Sequence, residues 1–446
     1  MCTSPLRVNP FSSSLGYSLD VPCNQCLECR SAVQDAWLYR IGLEYQDTKT
    51  CGGDVVFLTF TYRPSCLPRT NFGFADSDSV VCFNKSDVLR FLNNLKVHAN
   101  HLFGPSSYKY FICSEYGSTT HRPHYHGMFF LREGVDYTQF TELCRKLWKL
   151  GFMFPRNLYG RYVDNNRKSS TPLVNNMVGC VQYCAKYVTK DLDFYGDDLV
   201  KRYISIRKNL SVASQRHFNS YLPKHFQSKG LGARTYSPEQ LDLYLRVGVV
   251  NPATKKVVSL PRYYIERSAF THSVKILEGK PFVERTLKSD YYIVLRSFHR
   301  QSIEQKIKQL CDFSLSLSPY DYKRAGYSIS DYSHFRSLNS NVNILSCNYV
   351  KYLFYSLPNT SRSLYLMLND SLSIDSWLDY RMLLYDPYVD IDIPTVPELS
   401  DSERDLVDTF LIYFKVLAFA RNDSNVRRYH DFEQIRKLKL HNKGLI

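Results

Sequence analysis

The chain has 446 residues, of which 44% are hydrophobic and 15% aromatic, so it can bury a core in two or three domains and is not intrinsically disordered. A formal net charge of +15 favours a polyanionic partner, either nucleic acid or a membrane surface. The 13 cysteines, the lack of an apolar leader and the lack of an apolar run of about 20 residues lead us to expect reduced thiols, a cytoplasmic location and no membrane span.

The first 200 residues alternate between strand and helix patterns. Residues 55–62 and 108–116 are rich in β-branched and aromatic side chains, which predicts two strands. A polar turn separates the second of these from a third predicted strand at 124–131, and the two should form a hairpin. A fourth strand is expected within 152–164.

Three helices are predicted between and after these strands. Ser86 is expected to cap the first, and Thr138 to begin the second, with Gly151 just past its end in a left-handed cap. A third should begin near Asn175. The order β-α-β-β-α-β followed by a helix predicts an α+β fold, a split βαβ (ferredoxin-like or RRM-like) antiparallel sheet.

The C-terminal half gives a weaker pattern. Segments 283–310 and 400–420 look helical, so we expect a mostly α-helical C-terminal region. A phosphate-binding loop motif is missing, since the nearest stretch, EGKPF at 278–282, lacks its context.

Two histidines and one glutamate form a candidate metal site. His124 and His126 lie two apart in a predicted strand and therefore point to one face. The hairpin would return Glu115 beside them, and His121 in the turn is a second choice for the third ligand. Such an open N/O site suits Mg²⁺ or Mn²⁺ in phosphate chemistry. The alternative is a set of solvated surface side chains.

Two tyrosines and a lysine share one face of the last predicted helix. Tyr183, Tyr187 and Lys190 are at positions i, i+4 and i+7, and the apolar stripe lies on the opposite face. A tyrosine, with a pKa of about 10, attacks phosphorus usefully only where a metal polarises the phosphate. The lysine could hold a phosphate or stabilise a phenolate. The alternative is a solvated helix face.

A cysteine knuckle precedes the first strand. Cys23, Cys26 and Cys29 are spaced C-x2-C-x2-C, and Cys2 lies further upstream. Four thiolates could hold a structural Zn²⁺ that pins the N-terminal arm to the following helix. An iron–sulfur cluster or three reduced thiols are the alternatives.

Three motifs resemble, in order, those of HUH endonucleases: FLTFTY at 57–62, RPHYH at 122–126 and YCAKYVTK at 183–190. The double tyrosine resembles rolling-circle initiators, in particular those of the Microviridae, single-stranded DNA bacteriophages, and their gokushovirus branch. The cysteine-containing start and LPRYYIER at 260–267 are also similar to that branch. The resemblance covers residues 1–200 strongly and is thin beyond 270.

The resemblance implies a metal-dependent enzyme that nicks one DNA strand at a replication origin. Tyr183 or Tyr187 would form a 5′-phosphotyrosine, leave a 3′-OH for the host DNA polymerase and later close the circle. Lys190 would support charge, and Arg122 and Lys186 would contact the single-stranded DNA. A host helicase would open the duplex in the bacterial cytoplasm.

The same reading divides the chain into three parts: 1–45, the knuckle and its helix; 46–200, the HUH endonuclease domain with its catalytic helix; and 201–446, an accessory region. A plasmid initiator or a transposase would use the same chemistry. A non-catalytic, zinc-pinned DNA-binding protein is the alternative from another class.

Overall fold

The structure is a computed structural model that describes residues 6–8, 19–21, 27–74, 79–117, 122–155, 171–177, 198–206, 209–277, 279–357, 371–383, 398–417 and 419–420. The chain divides into two compact units. One comprises Ala32–Arg234 with Gly248–Pro261, and the other Met1–Ser31, Thr235–Val247 and Arg262–Ile446. The three-part division into 1–45, 46–200 and 201–446 stays a prediction.

Strands and helices alternate in the first half of the chain, and helices predominate later. The strands are β1 (Leu6–Val8), β2 (Leu19–Val21), β3 (Asp54–Tyr62), β4 (Arg69–Thr70), β5 (Val80–Val81), β6 (Tyr108–Tyr116), β7 (Pro123–Leu131), β8 (Gly151–Phe154), β9 (His225–Gln227), β10 (Val249–Val250), β11 (Val257–Val258), β12 (Phe270–Leu277) and β13 (Lys280–Leu287). The α-helices are α1 (Leu27–Thr50), α2 (Lys85–Phe103), α3 (Tyr137–Leu147), α4 (Asp198–Ile206), α5 (Val212–Asn219), α6 (Pro238–Val247), α7 (Arg262–Ala269), α8 (Tyr292–Ser316), α9 (Pro319–Arg324), α10 (Ile329–Leu338), α11 (Val342–Tyr355), α12 (Ile374–Leu383) and α13 (401–417). Short 3₁₀ turns cover Pro64–Cys66 and Ser289–Tyr291.

A five-stranded sheet forms the centre of the first unit. Its strand order is β8-β3-β7-β6-β9, and every neighbouring pair is antiparallel. The first four strands have the order of a split βαβ unit, with β9 added beside β6. The predicted α+β class and the β6–β7 hairpin are confirmed.

The two faces of this sheet bury different side chains because strand residues alternate in direction. One face carries Phe60, Tyr125 and Phe129 and packs against α2 and α3. The other carries Phe111 and Met128 and packs against α1. Burial on both faces fixes the register, since a slip of one residue would exchange the two sets.

Two helices begin at residues other than those predicted. The side chain of Asn84, and not that of Ser86, caps α2 by accepting from the Ser86 N–H at 3.0 Å. Asp136, and not Thr138, caps α3. Both true caps have an oxygen that accepts without needing to donate, and both precede a hydroxyl residue that sequence reasoning favoured.

The prediction that Gly151 is a left-handed cap is wrong. It is the first residue of β8, and its φ lies outside the left-handed region. An added Cβ would collide with the carbonyl oxygen of Thr61 and lie 2.6 Å from the Arg63 amide nitrogen. Gly151 is therefore needed for the close approach of β8 to β3.

The second unit is mostly α-helical, as predicted, but residues 283–310 are not one helix. The chain up to Leu287 is strand β13, in which Val283 pairs with Val274 of β12, and α8 begins only at Tyr292. The β-branched alternation of the hairpin outweighs the helical pattern. Residues 401–417 are helical, as expected for 400–420, and contribute Phe410 to the core of this unit. No helix of the described ranges has the length and apolar content needed to cross a bilayer.

We expect Gly151→Ala to lower the free energy of unfolding by about 1–3 kcal/mol, because a methyl group there forces β8 away from β3. Chemical denaturation of the full chain measures it. Lys149→Ala, an exposed change two residues earlier, should stay within about 0.5 kcal/mol of the parent. Equal stabilities of the glycine and alanine proteins would contradict the close approach.

Candidate metal centre

Three side chains with metal-ligand atoms converge at one end of the central sheet. Glu115, near the end of β6, lies directly opposite His124 on β7, and His126 follows two residues later on the same face. The ligand atoms of the three residues all lie within 4.8 Å of one another. The group can hold a metal ion.

The carboxylate of Glu115 is the centre of this group. Its Oε2 lies 3.0 Å from His124 Nε2 and 2.7 Å from His126 Nε2. Glu115 and His126 are 6% and 3% exposed, whereas His124 is half-buried. The half-buried imidazole therefore marks the side from which a substrate could reach the site.

The opposite ring nitrogens already have partners within the fold. His124 Nδ1 lies 3.0 Å from the Arg122 carbonyl, which can only accept, so this nitrogen donates its proton. His126 Nδ1 lies 2.9 Å from Thr59 Oγ1, on the residue directly opposite it in β3. The Thr59 hydroxyl can accept that proton, which leaves both Nε2 atoms as lone-pair donors.

This tautomer explains why the site fits a cation. With each proton on Nδ1, two Nε2 lone pairs and a carboxylate face one another in a buried space, which is repulsive unless a positive charge lies between them. A divalent ion satisfies all three atoms at once. Two histidines and one carboxylate also leave coordination positions open for water or a phosphate oxygen.

Aromatic contacts hold the two imidazoles in place. The ring of Phe57 stacks on His126 with centroids 5.7 Å apart and an interplanar angle of 10°. His124 meets His126 edge to face at 4.9 Å. Neither ring can turn without breaking a hydrogen bond and a ring contact.

Tyr125, between the two histidines, points to the other face and is 1% exposed. Its hydroxyl lies 3.2 Å from that of Tyr62, which donates to Asp87 Oδ2 at 3.1 Å. Burial is the main cause that raises the pKa of Tyr125, Tyr62 and Asp87. These phenols are therefore fixed, protonated structural groups and not nucleophiles.

The remaining predicted residues divide into two groups. Arg122 is half-buried, and its Nη2 donates to the Tyr62 carbonyl at 2.8 Å, so it ties the start of β7 to the end of β3. Cys29 is buried in α1. The predicted residues that lie outside the described part of the chain are Tyr183, Tyr187, Lys190, Lys186, Cys2, Cys23, Cys26 and His121.

Sequence reasoning missed Thr59. The signal was present in the motif FLTFTY, because alternation puts Thr59 and Thr61 on one face of β3. It could be read only once β3 was known to lie beside β7, a pairing between strands far apart in the sequence.

Comparisons with known proteins agree with a role in replication. Residues 55–192 match the family model of the replication-associated proteins of the ORF2 type. That segment contains the metal-ligand group and both tyrosines of the predicted helix. A curated relative, the Replication-associated protein ORF2 of Spiroplasma virus 4, is 24% identical over 55% of this chain and 67% of its own length. No solved structure gives a significant match.

We expect Thr59→Val to weaken Mn²⁺ binding about 10–100-fold, because it removes the group that fixes the His126 tautomer. Thr59→Ser keeps the hydroxyl and should restore most of the affinity. Titration of the full chain with Mn²⁺, followed by the loss of the free-ion electron paramagnetic resonance signal, measures both.

Thr61→Val is the matched control for this series. Thr61 is on the same face of the same strand, but its hydroxyl donates to the Phe152 carbonyl at 3.4 Å and not to an imidazole. It should leave Mn²⁺ affinity within a few-fold of the parent. An unchanged affinity in Thr59→Val, or an equal loss in Thr61→Val, would refute the assignment.

Proposed function

We propose that this protein is a rolling-circle replication initiator of a small single-stranded DNA bacteriophage. It nicks one DNA strand at the origin and later rejoins it. The observation that carries the proposal is the convergence of Glu115, His124 and His126 on one sheet face. This group lies within the segment that matches a replication-associated family, 55–192. The +15 charge supports a DNA partner.

The three ligands account for the metal requirement. Glu115, His124 and His126 would hold Mg²⁺ or Mn²⁺, which when bound polarises the phosphate and stabilises charge on its oxygens. Phe57 and Thr59 keep the His126 ring oriented, and the Arg122 carbonyl keeps His124 oriented. The metal-ligand face is thus set before DNA arrives, which lowers the cost of organising the reacting groups.

The nucleophile is assigned to Tyr183 or Tyr187 from their spacing and from the resemblance to HUH endonucleases. The phenol oxygen attacks phosphorus, the bond from phosphorus to the 3′ oxygen breaks, and the phenolic proton ends on that oxygen. The products are a 5′-phosphotyrosine and a 3′-OH. A second attack by a 3′-OH on the phosphotyrosine reverses these changes and closes the circle, so no nucleoside triphosphate is consumed. Lys190 would stabilise the phenolate, and Lys186 would contact DNA.

The proposal includes partners outside the chain. The 3′-OH is a primer for a host DNA polymerase, and strand opening is assigned to a host helicase in the bacterial cytoplasm. A plasmid initiator or a transposase would share the chemistry, and the relative from a Spiroplasma virus favours the phage assignment. Four thiolates at Cys2, Cys23, Cys26 and Cys29 would add a structural zinc.

The test is a covalent adduct between the protein and DNA. We expect labelled single strands that tile the replicon encoding this chain to give, with Mn²⁺, one sequence-dependent band that survives denaturation. Glu115→Gln should reduce the adduct by at least about 100-fold, since even residues that only orient metal ligands contribute 10–100-fold. A double change, Tyr183→Phe with Tyr187→Phe, should abolish it.

Tyr320→Phe is the control, because Tyr320 is 67% exposed and lies outside the matched segment. It should form the adduct at the parent rate. Metal-loaded wild-type protein that binds the strands but never forms an adduct would favour the non-catalytic DNA-binding protein. An adduct that persists in the double variant would refute the assigned nucleophiles.

A further inference from the structure

Two lysines lie together beside the metal-ligand group, without a counter-ion. Lys85 is the first residue of α2 and is exposed, and Lys224 is half-buried just before β9. In the described part of the chain, neither ammonium group has a hydrogen bond or an ion pair with any residue. Like charges held close together are costly, so the fold maintains this pair against its own stability.

Backbone contacts fix the place of both lysines. The Lys224 amide donates to Ser114 Oγ at 2.8 Å, and its carbonyl accepts from the Ser114 amide at 3.1 Å and from Ser114 Oγ at 3.0 Å. The Lys85 amide donates to the Ser220 carbonyl at 2.9 Å, which ties the segment before β9 to the start of α2. The lysines are therefore parts of one anchored surface.

The electrostatics of the pair agree with this placement. Burial lowers the pKa of Lys224, and the positive charge of Lys85 lowers it further. The nearest carboxyl group along α2, that of Asp87, accepts a hydrogen bond from the Tyr62 hydroxyl and does not form an ion pair with either lysine among the described residues. The surface is thus a site of unbalanced positive charge.

Position relative to the metal-ligand group suggests what the pair binds. Lys224 lies opposite Ser114, the residue before Glu115 in β6. Alternation puts Ser114 on the α2 face and Glu115 on the other, so the lysines and the metal ligands share one end of the sheet but lie on opposite faces. A DNA strand that presents one phosphate to the metal ligands can pass over this end and bring a neighbouring phosphate to the lysines.

We infer that Lys85 and Lys224 form a phosphate-binding pair that holds the DNA strand flanking the nicked position. The inference rests on the proposed function, because it assigns the second contact of the same bound strand. Lysine is a compact point charge that neutralises phosphate without reading bases, so the pair would position the strand and not select its sequence.

The salt dependence of DNA binding tests the inference. The probe is a fluorescently labelled single strand of thirty dT nucleotides, with the full chain in Mn²⁺. We expect Lys85→Gln and Lys224→Gln each to reduce the slope of log K against log salt by about 0.7, and the double variant by about 1.4. The double variant should also bind more weakly at low salt.

Lys96→Gln is the matched control, since Lys96 is exposed on the same helix and removes the same charge. It should change the slope by much less than Lys85→Gln. Equal slopes for the parent and the double variant, or an equal effect of Lys96→Gln, would overturn the inference. Denaturation of the DNA-free proteins checks folding, because relief of the repulsion predicts that neither lysine variant is less stable than the parent.

The adduct assay separates this inference from the proposed function. The double lysine variant should lose adduct at low DNA concentration and recover the parent rate at saturating DNA, whereas Glu115→Gln should stay inactive at both. If wild-type protein forms no adduct but the lysine changes still reduce the salt slope, the chemistry is wrong and the phosphate contacts stand. If wild-type protein forms the adduct and the lysine changes alter neither slope nor yield, the contacts are wrong and the chemistry stands.

Discussion

The antiparallel register of β6 and β7 is the constraint on which the candidate site depends. It puts Glu115 directly opposite His124 and leaves His126 on the same face. A shift of one residue would turn both imidazoles into the α2 core and expose Tyr125. Such a shift would bury two imidazoles without partners and expose a large aromatic side chain, so the fold opposes it strongly.

The opposite face stabilises that register. Tyr125 is buried between Tyr62 and the aromatic residues of α2 and α3, and its hydroxyl joins a network that ends at Asp87. The bulky residue between the two histidines thus works as an anchor, and the metal ligands on the other face gain their rigidity from it. This also limits where a nucleophile can come from. Buried phenols on the α2 face keep their protons, so a reactive tyrosine must reach the metal-ligand face from outside that core.

Much of this arrangement could be predicted from the sequence, because period-2 patterns are local. The strands at 55–62, 108–116 and 124–131 were correct to within a residue, and the hairpin brought Glu115 to the histidines. What could not be predicted depends on contacts distant in sequence. Gly151 looked like a helix cap because its role lies in the approach of β8 to β3.

Thr59 and Lys224 show the same limit in the site itself. Nothing near Thr59 in the sequence indicates an imidazole partner, which is 67 residues away. Lys224 meets Ser114 across 110 residues. Local chemistry identifies the metal ligands because histidine and glutamate have few roles in a strand. The residues that orient them are common types, and only their positions in the folded sheet give them a role.

The charges of the site explain why one cluster cannot hold the whole DNA strand. A divalent ion bound by one carboxylate and two neutral imidazoles carries a net charge of about +1, which a single phosphodiester neutralises. The metal centre can thus attract the reacting phosphate but has no charge left for its neighbours. The flanking phosphates need cations that are not committed to carboxylates, as Arg296 and Arg300 of the second unit are. A pair of uncompensated lysines at the metal-ligand end of the sheet meets that need without bringing a competing cation into the metal site.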